Sequence, residues 1–478
     1  MKGCAESICE PLSVLFNTSL STGVVPCDWK ISAITPILKS GDPSLVNNYR
    51  PISLLSLTSK LLERIVHEAL LIHVLKHNYI SEKQFGFRPG SSTTEAILAA
   101  TRDWHNSLER SASVACIFFD LSKAFDYLPH SLILTSLIRV GVCGSLYKWF
   151  ENYLSGRRQK VTLNGISSSV REVSSGVPQG SILGPLLFIL SINSIFNSSF
   201  SSNTVISLYA DDIILYKEIK CDLDITIFQS DVSLVVDWVH SVGLKLNNNK
   251  TKSLLITRKH HPPTLALVVD GMPIETVTSF KYLGVTITND LCWNKHINIV
   301  CLKARRLLGF LYRCFRGGDS KTLSYLYKSL ILPILGYCST IWDPQKQGLI
   351  NKLEHIQEFA AKITTGRWKD EGNTLCSELG WCQLSQRRKY DKIKMCRKIL
   401  LNNSIISPSV FSPLKNSHSS RLIMHPFQLH LPYVRTSHHQ HSFFINTIKL
   451  WNCLPADITL LDSDDIFKRL LQIYLCIT

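Results

Sequence analysis

The stretch Ser207–Tyr216, SLYADDIILY, places two adjacent aspartates between apolar residues. Like charges side by side repel each other, so the pair Asp211 and Asp212 needs an explanation. Asp is a common turn residue, and one explanation is a solvated turn between two buried strands. The other explanation is a bound cation, which would need a further carboxylate close by. The flanking residues predict strands over 204–209 and 213–216, which places the aspartates at the tip of a hairpin.

A further carboxylate follows a second apolar run. Residues 112–119 read as a buried strand that ends at Asp120, 91 residues before Asp211. If this strand and the hairpin are neighbours in one sheet, both carboxylates can point into one site, where they require a compensating charge. Mg²⁺ prefers oxygen ligands and usually binds through one or two carboxylates plus substrate phosphates. A pair of such ions stabilises the attacking and leaving oxygens of a phosphoryl transfer.

The charge of the chain is unevenly distributed. Lys and Arg number 52 against 36 Asp and Glu in 478 residues, a net charge of +16. Residues 291–478 hold 26 of the basic and 12 of the acidic residues, or +14. Clustered Lys and Arg favour a polyanion such as nucleic acid, since phosphate contacts release counterions. A solvated helical surface is the alternative. The shift in composition predicts a domain boundary near 290.

Secretion and membrane insertion are not indicated. Glu6 and Glu10 stand where a signal peptide would be apolar, and the apolar run 182–196 is short for a membrane span. The 15 cysteines include no CxxC pair, which favours buried thiols in a reducing compartment over a disulfide framework or a zinc site. We therefore expect an intracellular protein without a membrane segment.

Hydrophobic periodicity predicts the remaining elements, which are helices over 59–77, 92–111, 131–155, 181–196 and 224–242, and strands over 29–39, 244–247, 253–257 and 280–288. The Gly and Pro loop of 175–180 is predicted to open the helix of 181–196. From 291 onward the pattern is largely helical.

Three motifs carry a resemblance to a known family. Asp120 in IFFDLSKAFDYLPH, the segment SSGVPQGSILGPLLF of 174–188, and YADD of 209–212 resemble motifs A, B and C of reverse transcriptases, in that order. NNYRPISLL, KQFGFRPGSST, RRQKVTLNG, LKLNNNKTK, KYLGV and FFINTIKLWNCLP resemble the non-LTR, LINE-type retrotransposon branch. Viral RNA-dependent RNA polymerases typically have a second Asp where this chain has Phe125, and GDD at motif C.

The resemblance implies an α+β fold of the right-hand polymerase type, with fingers, palm and thumb, an antiparallel palm sheet and a helical, basic C-terminal region. The expected parts are an N-terminal helical fragment (1–24), fingers and palm (25–290), a thumb-like region (291–370) and a basic extension (371–478). Such proteins usually carry an endonuclease before the polymerase, and we expect this chain to lack it.

The resemblance also implies residue roles. Asp120 and Asp211 would ligate two Mg²⁺ ions, with Mn²⁺ as a substitute, and Asp212 would support them. Lys250 matches the motif D lysine that protonates pyrophosphate, although Lys245 and Lys252 lie close to it. The expected nucleotide-binding residues are Lys39, Arg50, Phe125 as the steric gate against a 2′-hydroxyl, Gln179 and Gly180. Phe125 could instead be a plain core residue, and Asp126 is expected to cap the following helix.

Contacts to RNA template, DNA primer and their duplex are expected from Arg88, Arg158, the primer-grip residues Tyr282 and Gly284, and the basic residues Lys303, Arg305, Arg306, Arg387 and Arg388. The implied function is RNA-directed DNA polymerase activity, in which a primer 3′-hydroxyl attacks a deoxynucleoside triphosphate. The alternative is a truncated, catalytically silent relic that binds nucleic acid. A nuclear location is expected from the family alone, and the sequence predicts no oligomeric state.

Overall fold

A computed structural model of the chain describes residues 4–39, 41–414 and 425–477. In this part of the chain the strands are β1 (Ile31–Leu38), β2 (Tyr49–Leu54), β3 (Ser113–Phe119), β4 (Arg157–Leu163), β5 (Ile166–Ser167), β6 (Arg171–Val173), β7 (Thr204–Tyr209), β8 (Asp212–Ile219), β9 (Lys252–Ile256), β10 (Val268–Val269), β11 (Met272–Pro273), β12 (Ser279–Tyr282) and β13 (Val285–Thr288).

The α-helices up to the predicted boundary near 290 are α1 (Ala5–Thr22), α2 (Leu57–Lys76), α3 (Thr93–Glu109), α4 (Ala124–Tyr127), α5 (His130–Arg139), α6 (Gly144–Leu154), α7 (Leu183–Ile192) and α8 (Asp222–Ser241). Those that follow are α9 (Asn294–Cys314), α10 (Ser320–Leu326), α11 (Leu332–Gly336), α12 (Ser339–Trp342), α13 (Gln347–Thr365), α14 (Gly372–Glu378), α15 (Leu384–Leu400), α16 (Ser437–Gln440), α17 (Phe443–Asn452), α18 (Ala456–Thr459) and α19 (Asp464–Tyr474).

Four antiparallel strands in the order β7-β8-β3-β9 form what we call the central sheet. All seven residues of β3 are buried, because helices cover both faces of the sheet. Its side chains alternate between two apolar cores, with Val114, Cys116 and Phe118 in one and Ala115, Ile117 and Phe119 in the other. A strand covered on both faces reads as a continuous apolar run, as 112–119 does.

A second sheet has the strand order β2-β1-β4-β5, with β6 paired to β4. Its β1 and β2 are antiparallel, and Ile37 pairs with Arg50. The parallel pair β1 and β4 brings 31–34 beside 158–161. This sheet therefore joins the segment that carries Lys39 and Arg50 to the hairpin that begins at Arg157.

The helices after 290 pack onto one face of the central sheet. One apolar core contains Trp104 of α3, Ile214 of β8, Ile297 of α9, Ile356 of α13 and Phe467 of α19, all of them fully buried. The mixed α+β class, the antiparallel sheet and the helical C-terminal region predicted from the sequence are confirmed. The four predicted domain ranges stay a proposal, and residues 1–3, 40, 415–424 and 478 of these ranges lie outside the described residues.

Three predicted elements differ from the structure. The helix predicted over 131–155 is divided into α5 and α6, since Gly141 after α5 and Gly144 at the start of α6 adopt positive φ. The strand predicted over 280–288 is the hairpin β12–β13, which turns at Leu283 and Gly284. The segment 244–247 makes only a single bridge, between Leu246 and Leu121, and is not a strand.

Candidate active site

The three motif aspartates lie at one end of the central sheet. Phe119, the last residue of β3, pairs with Ile213 of β8, so Asp120 leaves β3 beside the hairpin tip. Tyr209 pairs with Asp212, which leaves Ala210 and Asp211 as a two-residue turn. The neighbouring strands expected from the sequence are present.

Burial and, for Asp211 and Asp212, neighbouring carboxylates shift the pKa values of these groups. Burial raises the pKa of Asp120 and that of Asp211, and the charge of Asp120 raises the pKa of Asp211 further. Asp212 is exposed at the tip, yet the protein atoms packed around it, followed by the charges of Asp211 and Asp120, raise its pKa to about 6. The charge of Asp120 therefore acts on both carboxylates of the hairpin tip, and the three groups form a site of concentrated negative charge.

Basic side chains from two other segments partly offset this charge. Lys250 and Lys39 lower the pKa of Asp120, and Arg50 and Lys39 lower that of Asp211. All three cations are exposed. The segments that carry them are anchored, because Lys39 N–H donates to Asn48 (2.8 Å) and Arg50 lies in β2.

Lys250 is the one motif D candidate whose charge acts on Asp120. Lys245 instead places its ammonium over the Tyr127 ring, 5.5 Å from the centroid. Lys252 Nζ donates to Glu275 at 2.7 Å. Because only Lys250 among these three lysines acts on Asp120, we propose Lys250 as the motif D lysine.

The donor set suits a hard divalent cation that is shared with a phosphate. Asp120, Asp211 and Asp212 supply only oxygen atoms, and mutual repulsion among their charges would be relieved by such an ion. In the described part of the chain, no three His, Cys, Asp or Glu side chains are close enough to hold a metal ion on their own. Mg²⁺ does not require that, since it keeps waters and substrate oxygens among its ligands.

Phe125 and Asp126 of α4 contact α7 and the loop that precedes it. Phe125 is half-buried, stacks on Phe188 of α7 with ring centroids 4.2 Å apart, and meets Phe87 edge-on at 6.1 Å. Gln179 donates from Nε2 to the Asp126 carboxylate at 2.8 Å. Asp126 lies inside the short α4 and does not cap a following helix, which corrects the sequence-based expectation.

Gly180 joins that loop to the second sheet. Its φ is +131°, and a Cβ atom here would lie 2.5 Å from the Ser53 carbonyl of β2. The Ser53 N–H donates to the Gln179 carbonyl at 2.7 Å. The loop is therefore held between β2 and α4, in a conformation and at a distance that only glycine accommodates.

Four predicted nucleic-acid contacts lie on or near the two sheets. Arg158 is exposed on β4, and Gly284 is exposed in the β12–β13 turn. Arg88 is half-buried and donates to the carbonyls of Ile80 and Ser81, at 3.2 and 2.7 Å. Tyr282 is 3% exposed and packs against Phe118.

The side chains of Arg88 and Tyr282 thus have little surface left for a primer or template. Of these four, we therefore propose nucleic-acid contacts only for the backbone of the Leu283–Gly284 turn and for the exposed Arg158.

The basic residues of the C-terminal region fall into two groups. Lys303, Arg305 and Arg306 are exposed on α9, and Arg387 is half-buried on α15. Arg388 is 3% exposed and donates to Asp343 at 2.6 Å. A buried guanidinium paired with a carboxylate offers no surface to a phosphate, so we do not propose Arg388 as a duplex contact.

Two supporting residues were not predicted from the sequence. Glu63 of α2 is 1% exposed, and its carboxylate accepts the N–H groups of Ile182 and Leu183 at the start of α7. Gln84 is 0% exposed and contacts the hairpin tip. Glu63 carries no local signal, whereas Gln84 lies within KQFGF, a segment that resembles the family.

No helix in the described ranges is long and apolar enough to cross a membrane.

Comparison with known proteins gives matches to curated relatives, to solved structures and to a family model. The chain is 27% identical over 376 residues to the probable RNA-directed DNA polymerase from transposon X-element of Drosophila melanogaster, with 77% of this chain and 41% of the relative covered. It is 28% identical over 408 residues to the probable RNA-directed DNA polymerase from transposon BS of the same species, with 83% and 45% covered. The chain spans less than half the length of these relatives. A solved structure of apo telomerase from Candida Tropicalis matches with 12% identity and a TM-score of 0.43, covering 78% of this chain and 64% of that chain.

The family model described as reverse transcriptase (RNA-dependent DNA polymerase) matches residues 37–287, which is more than half of the chain and includes the three motif aspartates. The resemblance that motifs A, B and C carry is therefore confirmed, and the chain belongs to the reverse transcriptase family, in the branch of the non-LTR retrotransposons.

Proposed function

We propose that this chain is an RNA-directed DNA polymerase that extends a primer 3′-hydroxyl with deoxynucleotides on an RNA template. The observation that carries the proposal is that Asp120 and the Ala210–Asp212 tip lie at one end of the central sheet, where burial and the charge of Asp120 raise the pKa of Asp211 and that of Asp212. Basic side chains within electrostatic reach of the same carboxylates suit a triphosphate that arrives with cations.

Asp120 and Asp211 would hold the divalent ions, and Asp212 would support them. When bound, the ions lower the charge repulsion between the site and the triphosphate and stabilise the attacking and leaving oxygens. Lys39 and Arg50 would orient the triphosphate through charge-assisted hydrogen bonds. In the reaction the primer 3′-hydroxyl loses its proton to solvent, its oxygen bonds to the α-phosphorus, and the bond from the α-phosphorus to the pyrophosphate oxygen breaks. Lys250 would give a proton to the pyrophosphate.

Phe125 and the Gln179–Gly180 loop would line the nucleotide-binding pocket. A ring under the sugar leaves no room for a 2′-hydroxyl, and Phe125 is fixed in place by its stack on Phe188. The exposed cations of α9, namely Lys303, Arg305 and Arg306, would contact duplex phosphates with little sequence preference. In this proposal 25–290 supplies fingers and palm, 291–370 a thumb, and 371–478 a basic extension.

The test is incorporation of dTTP by the purified chain on poly(rA)/oligo(dT) with Mg²⁺ or Mn²⁺, beside Asp211→Ala. The proposal expects synthesis by the wild type, none by the variant, and strong discrimination against UTP. Salt-dependent duplex binding by a wild type that extends nothing would favour the alternative of a silent nucleic-acid-binding relic.

A further inference from the structure

The turn that presents Asp211 has a backbone conformation that its own sequence does not favour. Ala210, its first residue, has a φ of +55°. Two-residue hairpin turns need positive φ at this position and usually place Gly, Asn or Asp there. Alanine in that region is disfavoured because its Cβ crowds the backbone. The turn is therefore expected to depend on contacts from outside the hairpin.

Such contacts come from Lys83–Gly86, which we call the brace. The brace runs along the edge of β7 that faces away from β8. Phe85 N–H donates to the Leu208 carbonyl at 2.8 Å, and Leu208 N–H donates to the Lys83 carbonyl at 2.9 Å. Gln84 and Leu208 form a parallel bridge. The brace thus extends the central sheet by a short edge pairing that stops at the hairpin tip.

The Gln84 side chain reaches the tip itself. It is 0% exposed, and its Oε1 accepts N–H groups from Gly86 (2.8 Å) and from Ala210 (3.1 Å). Because both partners are donors, the atom that faces them has to be the amide oxygen. Ala210 N–H belongs to the residue with positive φ, so this bond acts on the strained position directly.

The backbone of Gly86 also packs against the hairpin tip at Ala210. A Cβ atom at Gly86 would lie 2.3 Å from the Ala210 nitrogen. The brace and the tip are therefore in direct backbone contact, and a side chain at residue 86 would push them apart.

The remaining amide group of Gln84 argues against a role in stability alone. Nε2 is buried and has no hydrogen-bond partner in the described part of the chain. A buried donor without a partner is unfavourable, and an apolar side chain of the same length would avoid it. Residue 84 is nevertheless an amide with an unpaired Nε2, which indicates that its acceptor oxygen is needed beside Ala210.

We infer that Gln84 is a positioning residue for the polymerase reaction, whose side-chain oxygen fixes the Ala210 N–H and thereby the place of Asp211 and Asp212 relative to Asp120. The inference rests on the proposed function. A small displacement of reacting groups can cost on the order of 100-fold in rate. Loss of this bond should therefore slow the chemical step and leave the affinity for template and primer unchanged.

The experiment compares wild type, Gln84→Met and Gln84→Glu in single-nucleotide primer extension on poly(rA)/oligo(dT). Gln84→Met fills the space without an acceptor, and kcat is expected to fall roughly 10- to 100-fold. The KM for primer-template and the affinity for the duplex should stay near the wild-type values. Gln84→Glu restores an accepting oxygen and should recover part of kcat.

Gln229→Met is the matched control. Gln229 also bonds to main chain, through Nε2 and Oε1 to Val268 at 2.9 and 2.8 Å, but it lies on α8 and contacts none of the site residues. Its kcat should equal that of the wild type. Thermal unfolding of all variants separates a positioning role from a folding defect.

The outcomes distinguish this inference from the proposed function. A wild type that extends no primer refutes the proposed function. A wild type that extends primers, together with a Gln84→Met variant of unchanged kcat, or one whose kcat falls only as its melting temperature falls, refutes the role of Gln84.

Discussion

Gln179 donates a 2.8 Å hydrogen bond from its amide to the carboxylate of Asp126, across the gap between the loop before α7 and the helix α4. This bond sets the direction of the Gln179 side chain, for which we propose a contact to the incoming nucleotide. We therefore propose that Asp126 shapes the nucleotide pocket through Gln179, without contact to the substrate.

Removal of the Asp126 carboxylate should therefore weaken nucleotide binding. In Asp126→Ala the KM for dTTP is expected to rise about tenfold, since a hydrogen bond to a charged group contributes roughly 1.5 kcal/mol. Asp126→Asn keeps an accepting oxygen and should show a smaller rise. Steady-state primer extension over a range of dTTP concentrations measures both, and an unchanged KM in Asp126→Ala would show that the bond does not govern Gln179.

Lys250 should matter more to the rate than its neighbours. Because its charge acts on Asp120, Lys250→Gln is expected to slow nucleotide addition roughly 100-fold, the usual scale for removal of a general acid. Lys252→Gln is the control, since Lys252 is paired with Glu275, and its rate should stay near that of the wild type. An equal decrease in the rate of nucleotide addition in both variants would mean that the substitutions act by disturbing the local backbone, and not through the charge of Lys250.

The acidity of Asp212 predicts how stability changes with pH. Its pKa is raised to about 6 in the folded chain from an ordinary value of 3.8, so the folded state holds this proton more tightly than the unfolded state does. The associated stability is present below pH 4 and is lost as the pH rises through 6.

Asp212→Asn removes the charge that causes this decrease in stability. Without divalent ions, the variant should melt at a higher temperature than the wild type at pH 8, and the difference should vanish at pH 4 and below. Calorimetric melting across that pH range measures it. A variant that melts lower than the wild type at pH 8 would mean that Asp212 is held by favourable contacts and is not crowded by like charges.

The two groups of C-terminal cations should respond differently to substitution. A triple variant, Lys303→Gln with Arg305→Gln and Arg306→Gln, should bind duplex more weakly and lower the slope of log affinity against log salt by about one for each phosphate that is no longer neutralised. Arg388→Gln instead breaks a buried pair with Asp343, so its melting temperature should fall while its salt slope is kept. Fluorescence anisotropy at several salt concentrations measures the slope, and thermal melts measure stability. A lowered slope in Arg388→Gln, or an unchanged slope in the triple variant, would contradict the prediction.

The strands that carry the site were predictable from the sequence because their signals are strong. The apolar run that ends at Asp120 and the apolar residues around Asp211 predict strands, and the order of the motifs predicts that those strands meet. The break between α5 and α6 carried a signal as well, in Gly141 and Gly144, but helical periodicity on both sides concealed it.

Contacts between distant segments could not be predicted in the same way. Gln84 lies 126 residues before Ala210, and Glu63 lies 119 residues before Ile182; no local pattern relates such pairs. The sequence also does not show which charged residues are buried. Arg388 is buried and paired with Asp343, whereas Arg305 is exposed, and nothing in their local sequences separates them. Long-range pairing and burial are properties of packing, and a single sequence does not report them.

The rate of single dTMP addition to poly(rA)/oligo(dT) with Mg²⁺ tests the central claim most directly, when it is measured for the wild type, Asp120→Asn and Asp211→Asn. Asp270→Asn, an exposed turn aspartate paired with His240, is the matched control. The account predicts addition by the wild type and by Asp270→Asn, and none by the two site variants, all with the same duplex affinity. Addition by Asp120→Asn or Asp211→Asn at the wild-type rate would contradict it.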